Sequence, residues 1–120
     1  MRGILGMLPL LLLAWALEAS PAPSLELRLT ASLSFSLFPQ AVVVERFPEP
    51  QGLVVVYRYA QAEAIFRHHD EDLRRRGWVR VKYEVKKGEW KAEYKKGKAK
   101  AKLSVKDKKG RVEVRLKEGD

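Results

Sequence analysis

The sequence predicts an α+β fold, in which one amphipathic helix packs on an antiparallel β-meander and is preceded by N-terminal strands. Three observations lead to this class. Apolar and polar residues alternate over 25–37, which is the pattern of a strand with one buried face. Apolar residues then recur at helical spacing over 60–76. Finally, four short alternating runs separated by glycine-containing turns fill residues 79–116.

The N-terminus has the pattern of a secretion signal. Arg2 supplies a positive charge, residues 4–17 are almost all apolar, and Ala14-Trp15-Ala16 offers the small side chains at which signal peptidase cuts. We expect a signal peptide over 1–16, with a cut as late as residue 22 as the alternative. With such a signal the protein is expected to be exported to the periplasm or the extracellular medium. A second interpretation is an uncleaved anchor in the inner membrane, but a spanning helix needs about 20 apolar residues.

Extended segments follow the signal. Residues 25–37 form one long strand or two joined strands, and Pro39 ends them. A short pairing segment over 41–44 precedes a turn region at 47–52. Residues 53–59 are mostly β-branched and aromatic, which predicts a compact strand.

A single helix is predicted over 60–76. Three arginines at its C-terminal end suit the helix dipole, and Gly77 can adopt the left-handed conformation that commonly follows a helix. Trp78 then begins the return to the sheet. The apolar stripe of this helix consists of Ala62, Ile65, Phe66, His69 and Leu73.

The meander has turns at Lys87-Gly88, Lys96-Gly97 and 107–110, where glycine supplies a positive φ. Small side chains in the middle strands allow a close approach of the helix, and two tryptophans fill the flanks. These residues are Ala92, Ala99, Ala101, Trp78 and Trp90. The first strand is expected to direct its apolar side chains to one face: Val79, Val81, Tyr83 and Val85.

Length and composition restrict the class of protein. About 100 residues remain after the signal, enough for one domain. We divide that domain into an extended segment over 17–46 and a basic α+β part over 47–120. The lack of cysteine excludes disulfides, thiolate nucleophiles and Cys-ligated zinc. The lack of asparagine beside abundant Lys, Arg and Glu is typical of a heat-adapted organism.

The positive charge belongs to the C-terminal third of the chain. The net charge is +9, and residues 1–76 carry eight basic and eight acidic residues. Residues 77–120 carry sixteen basic and seven acidic residues, so they account for the whole excess. A basic excess of this kind favours anionic partners.

The predicted turns define which residues face each other on neighbouring strands, and this pairing shows which cations have no acidic residue opposite. In the first hairpin each lysine faces a glutamate. In the next two hairpins the count sets Lys91, Lys102 and Arg115 in one row across three strands, with no acid directly opposite. Further cations lie near the strand ends, at Lys95, Lys98, Lys106 and Arg111.

This row has two interpretations. As a functional surface it binds an anionic polymer or surface, such as cell-wall polysaccharide, lipid headgroups or nucleic acid, by electrostatics of low specificity. As a structural feature, lysine on the solvent face keeps a β-domain soluble and blocks edge pairing. The face is expected to lack exposed aromatic residues, which argues against stacking on single-stranded bases.

No other cluster indicates catalysis, a metal or a cofactor. His68 and His69 are neighbours on the helix and point about 100° apart, so they cannot chelate one metal together; His69 is interpreted as a packing residue. The acidic run 70–72 is interpreted as a solvated face, and the serines at 32–36 as the polar face of a strand. We therefore expect a protein that is not an enzyme and uses no cofactor.

The order of strand, helix, Leu73-Arg74-Arg75-Arg76-Gly77-Trp78 and lysine-rich meander resembles small exported bacterial domains of unknown function. In those domains a helix with a central aromatic residue, here Phe66, ends in a Leu-x-x-x-Gly-Trp step. The resemblance covers about residues 47–118, without the lipidated cysteine of the lipoprotein members. It implies an envelope location and a non-enzymatic domain, and it supplies no site residues.

Two functions remain open from the sequence. The first is an exported binding module that meets anionic polymers or surfaces through its basic face. The alternative is a structural or accessory domain of an envelope assembly, which binds another envelope protein through the apolar face of the strand over 25–37. A small hydrolase would require acids that converge in a pocket, and no motif indicates one.

Overall fold

The computed structural model describes residues 26–58 and 60–119. These residues form one helix, α1 (Ala62–Arg75), and eight strands. The strands are β1 (Glu26–Arg28), β2 (Ser34–Ser36), β3 (Val42–Glu49), β4 (Gly52–Arg58), β5 (Val79–Lys86), β6 (Glu89–Lys96), β7 (Ala99–Lys108) and β8 (Arg111–Glu118). The predicted signal segment lies outside the described residues. Among those that are described, no helix has the length and apolar character needed to cross a membrane.

Six strands form one antiparallel sheet, in the order β3-β4-β8-β7-β6-β5. The four strands after the helix are neighbours in chain order, so the predicted meander is confirmed. The hairpin β3–β4 pairs with β8, the last strand of the meander. β3 and β5 are therefore the two edges of the sheet, and β1 pairs with β2 in a separate two-stranded sheet.

α1 and β2 cover one face of the six-stranded sheet. The hydrophobic core lies between that face and these two elements. α1 lies against β7, β2 and β5. Ala92 and Ala101, two of the predicted small residues, are almost fully buried, and so is Trp78, whereas Trp90 is only partly buried. The largest fully buried side chains include Tyr57, Tyr94, Phe35, Leu33, Ile65, Leu73, Leu103 and Leu116.

The helix ends as the sequence predicts. Gly77 has a φ of 98°, the left-handed region that favours glycine. The N–H of Gly77 donates to the carbonyl of Arg74 at 3.1 Å, and the N–H of Trp78 donates to that of Leu73 at 3.0 Å. These two bonds define a Schellman motif, in which the residues equivalent to Leu73 and Trp78 usually meet. Both side chains belong to the core, which explains the spacing Leu-x-x-x-Gly-Trp.

The acidic run at the end of α1 is not a solvated face, and that interpretation is wrong. Asp70 and Asp72 are buried, and only Glu71 between them is exposed. Asp70 accepts hydrogen bonds from Tyr94 at 2.6 Å and from Arg80 at 3.2 Å. Buried carboxylates persist where they are paired and hydrogen-bonded, so these residues hold the helix to the sheet.

The N-terminal segment is a hairpin, which matches the second of the two predicted forms. β1 and β2 are joined by a turn in which Leu29 N–H donates to Leu33 O at 2.8 Å. Leu33, Phe35 and Leu37 are buried in the core. The apolar face that suggested a protein-binding strand is therefore largely covered by the rest of this chain.

β3 extends through most of the predicted turn region. Only Pro50 and Gln51 form the turn, because Pro48 belongs to the strand, opposite Leu53. Proline has no N–H group to donate to a neighbouring strand. It is tolerated here because β3 is an edge strand, and the side without a neighbour needs no backbone donor. The strand also crosses the predicted boundary at residue 46, so both parts of the chain share one sheet.

β5 does not bury its apolar side chains. A β-bulge between Arg80 and Lys82 interrupts the alternation. Val79 therefore lies opposite Lys95, on the charged side, whereas Tyr83 lies opposite Ala92, on the helix side. Because Val79 and Tyr83 lie on opposite faces, the prediction that the four apolar residues of this strand share one face is wrong. All four are exposed.

Candidate anion-binding surface

The face of the sheet opposite the helix carries most of its charged side chains. Residues directly opposite one another on antiparallel strands share a face, so the observed register defines rows across the sheet. One row contains Lys82, Glu93, Lys102 and Lys117. The next contains Glu84, Lys91, Ser104 and Arg115.

The first hairpin has the predicted register, and the next two do not. Lys87 and Gly88 both have positive φ and form a two-residue turn, so that Lys86 pairs with Glu89 at the end of the hairpin. In the second hairpin Gly97 is the first central residue of the turn, with Lys98 second, so that Lys96 pairs with Ala99. This glycine position is typical of a type II′ turn.

The third turn contains Lys109 and Gly110 instead of four residues, because Asp107 and Lys108 continue β7. In both hairpins the pairing moves by two residues relative to the prediction. A shift of two residues leaves each side chain on its predicted face but changes the residue opposite it.

The predicted row of Lys91, Lys102 and Arg115 is therefore wrong as a row. Ser104 lies between Lys91 and Arg115, and Lys102 lies one row away, between Glu93 and Lys117. The three cations nevertheless share a surface, because all of them line one depression of about 450 Å³ on this face.

A second depression of about 360 Å³ adjoins the first and shares Lys82, Glu93 and Lys102 with it. We call the two together the basic groove. The acidic side chains that line it are Glu84, Glu89 and Glu93. The cationic ones outnumber them: Lys82, Lys91, Lys95, Lys100, Lys102, Arg115 and Lys117.

The acids of the groove are matched to particular cations. Glu93 lies 3.9 Å from Lys82, and Glu89 lies 3.9 Å from Lys91. Both pairs are long and solvent-exposed, so each contributes little to stability. Of the lysines that line the groove, Lys95, Lys102 and Lys117 have side chains that contact no carboxylate of the described chain.

Lys102 and Lys117 lie directly opposite each other on β7 and β8. Like charges in that position destabilise a sheet by a few tenths of a kcal/mol. Lys117 was missed in the sequence because the predicted register set Lys102 against Arg115. A two-residue turn at Lys109-Gly110 would have found it.

The remaining predicted cations are less available to bind an anion, because acidic side chains or their position outside the groove restrict them. Arg115 Nε lies 3.3 Å from Glu49, and Arg111 Nη1 lies 3.2 Å from Glu45, both on β3. These pairs cross over β4, whose residues on that face, Val54 and Val56, are buried. Outside the groove, Lys106 lies between Glu89 and Glu113, and Lys98 is in a turn.

The charged face carries an aromatic residue that was not predicted from the sequence. Phe47 on β3 shares the row of Val54 and Arg115, and 47% of its surface is exposed. The expectation of a face without exposed aromatic residues is therefore wrong at the β3 edge. Phe47 is not among the residues that line the groove.

The two histidines have separate structural contacts. His69 is fully buried, and its Nε2 lies 3.1 Å from the hydroxyl of Tyr57, which accepts from the N–H of Phe38. Burial, with a smaller contribution from the neighbouring His68, lowers the pKa of His69 to about 3. His68 Nε2 donates to Ser36 O at 3.0 Å. Within 26–58 and 60–119, no group of three His, Cys, Asp or Glu side chains could hold a metal ion.

In comparisons with protein-family models, curated proteins and solved structures, no match to this chain was found. The resemblance to small exported domains therefore stays a prediction. What can be assigned to the Leu73-to-Trp78 step is its local role, which is to end α1 and return the chain to β5.

Proposed function

We propose that this chain is an exported, non-enzymatic protein of the cell envelope whose basic groove binds anionic polymers or surfaces. The observation that carries the proposal is the facing pair Lys102 and Lys117, whose side chains contact no described carboxylate and which line a groove with more than twice as many cations as acids. A concave surface with one sign of charge concentrates ligands of the opposite sign.

The groove favours an extended ligand with repeated charge. Its cations are spread over β5, β6, β7 and β8, and they project from rows whose neighbouring strands are about 4.8 Å apart. Lysine is a point charge without the planar geometry that selects one anion. Binding is therefore expected to depend on charge density and salt more than on the sequence or sugar composition of the polymer.

The test compares two variants with the same net charge. Lys102→Gln/Lys117→Gln removes two charges from the groove, and Lys87→Gln/Lys109→Gln removes two from exposed turns outside it. Affinity for heparin and for duplex DNA is measured over a range of salt concentrations. For duplex DNA we expect the slope of log affinity against log salt concentration to become shallower by about 1.8 in the groove variant only, because each neutralised phosphate contributes about 0.9 to the slope.

Equal losses in the two variants would show that binding follows net charge and that the groove has no special role. Wild-type elution from heparin at the salt concentration of a charge-matched unrelated protein would also overturn the proposal. Retention of both polymers with a groove-specific loss supports it.

Export is tested separately. The intact mass of the protein recovered from the periplasm or medium of a secreting host is expected to correspond to a chain that begins after residue 16. A mass that retains the N-terminal segment would favour the uncleaved anchor. Protein confined to the cytoplasm would overturn the export half of the proposal without affecting the groove.

A second candidate, a structural or accessory protein-binding domain, no longer rests on 25–37, because Leu33, Phe35 and Leu37 are buried. The observation that favours it is the exposed apolar edge of β5. The two functions are compatible, because most cations of the groove lie on β6, β7 and β8, although Lys82 of β5 belongs to both surfaces.

A further inference from the structure

β5 is an edge strand with an unusual concentration of exposed apolar side chains. Six large hydrophobic residues of the described chain are exposed, and four of them are on β5. Their exposed fractions lie between 47% and 62%: Val79, Val81, Tyr83 and Val85. Edges with this composition are templates for pairing with another chain.

The backbone of this edge is available for pairing. The turn at Lys87-Gly88 closes the pair of Lys86 with Glu89, and such a turn makes that pair exchange hydrogen bonds. Hydrogen-bonded pairs alternate along an antiparallel ladder. The N–H and C=O groups of Tyr83 and Val85 therefore point away from β6, towards the open edge.

The charged residues of this edge complement those of a second, identical β5 strand. Lys82 and Glu84 flank Tyr83 on the strand and share the charged face of the sheet. When two identical strands pair antiparallel about Tyr83, Lys82 of each lies opposite Glu84 of the other. Opposite charges in directly facing positions stabilise a strand pair, and like charges destabilise it.

We propose that β5 pairs antiparallel with β5 of a second copy of this chain, about a two-fold axis at Tyr83. Such an axis is perpendicular to the sheet, so the two six-stranded sheets join edge to edge with both basic grooves on one side. Tyr83, stacked on Phe66 with ring centroids 5.2 Å apart, meets its equivalent on the helix side.

The bulge at Arg80 limits how far the strands can pair. Regular pairing is confined to the segment around Tyr83, and Arg80 stays bound to Asp70 at 3.2 Å. The interface is therefore small, and stable dimers usually bury more than about 1,200 Å². We expect a dimer that dissociates on dilution and is sensitive to single charges.

The experiment is a charge-swap cycle on the full chain, with self-association measured by sedimentation over a wide range of concentrations. Lys82→Glu and Glu84→Lys are each expected to weaken the dimer by at least about tenfold, because each places like charges opposite one another. A mixture of the two variants is expected to form a heterodimer. The double variant Lys82→Glu/Glu84→Lys is expected to dimerise as the wild type does.

Two further variants control for net charge, Lys109→Glu in an exposed turn and Glu71→Lys on the exposed side of α1. Neither is expected to change association. The fold should survive all of these changes, because Lys82 and Glu84 make only exposed ion pairs, with Glu93 and Lys86. A wild type that is monomeric at every concentration would overturn the proposal. So would single variants that associate as tightly as the wild type, or a double variant that stays weakened.

Discussion

Asp72 on α1 accepts a hydrogen bond from the backbone N–H of Ser36 on β2 at 2.8 Å. Two other side chains of the same region complete the contact. His68 donates to the carbonyl of Ser36 at 3.0 Å, and Arg76 donates to its hydroxyl at 2.8 Å. On the side away from β1, β2 has no neighbouring strand among the described residues. The backbone N–H and C=O of Ser36 on that side are hydrogen-bonded by side chains of the helix instead. These contacts connect the N-terminal hairpin to the helix, and the hydroxyl of Thr30, which donates to Glu118, connects it to β8.

Replacing Asp72 with alanine is expected to destabilise the protein by about 2 kcal/mol, because it leaves the half-buried N–H of Ser36 without an acceptor and removes the carboxylate beside Arg76. Chemical denaturation measures the loss. The control is Glu71→Ala, an exposed neighbour on the same helix, which should change stability by less than about 0.5 kcal/mol. Similar losses in the two variants would contradict the assigned role of Asp72.

Tyr94→Phe removes the hydroxyl that donates to Asp70 at 2.6 Å. The carboxylate keeps Arg74 and Arg80, so we expect a loss of about 1–2 kcal/mol in the free energy of unfolding. Burial and the bond to Asp70 also raise the pKa of Tyr94, and burial raises that of Tyr57, so two tyrosines of the wild type should not ionise in the ordinary range until it unfolds. Tyr83→Phe at the exposed edge is the comparison, and it should leave stability nearly unchanged.

The buried His69 predicts that stability falls with acid. Its pKa is about 3 in the folded protein and 6.5 ordinarily, so below pH 6.5 the unfolded chain binds a proton that the folded chain does not. Its contribution is complete above pH 6.5 and declines as the pH falls towards 3. Between pH 6.5 and 5, above the range of exposed carboxylates, we expect the wild type to lose about 1 kcal/mol per pH unit.

The matching variant is His69→Phe, which keeps an aromatic ring beside Phe35 and cannot titrate. Although it removes the hydrogen bond between His69 and the Tyr57 hydroxyl and lowers stability overall, its free energy of unfolding should be almost constant over the same pH range. A variant with the wild-type slope would assign the pH dependence to another group.

Gly52 is required where β4 meets β8. A Cβ atom there would lie 2.5 Å from the carbonyl oxygen of Leu116 and would overlap Lys117 Cβ. We expect Gly52→Ala to cost about 2–3 kcal/mol in thermal or chemical denaturation, since the backbones must separate. Gly97→Ala, in a turn where a Cβ meets no atom within 4 Å, should cost only the backbone strain of its positive φ, about 1 kcal/mol. A smaller loss at Gly52 than at Gly97 would argue against the close approach.

Much of the fold follows from local patterns. The helix was predicted over 60–76 and spans Ala62–Arg75, and the meander strands lie where the alternating runs predict them. Gly77 ends the helix as its position indicates. Asp70 and Asp72 could not be interpreted in this way, because their partners Tyr94 and Ser36 are distant in sequence. A run of acids is locally compatible with solvent, and only tertiary contacts make its burial favourable.

Outside the bulge of β5, the sequence by itself determined which side chains share a face, because alternation along a regular strand is a property of the backbone and survives a shift of two residues. Lys91, Lys102 and Arg115 are on one surface for that reason. The tertiary structure decided which charges meet, since this depends on the turn that each glycine adopts and on β8 pairing with β4. It set Lys102 opposite Lys117, drew Arg115 to Glu49, and left β5 as an open edge.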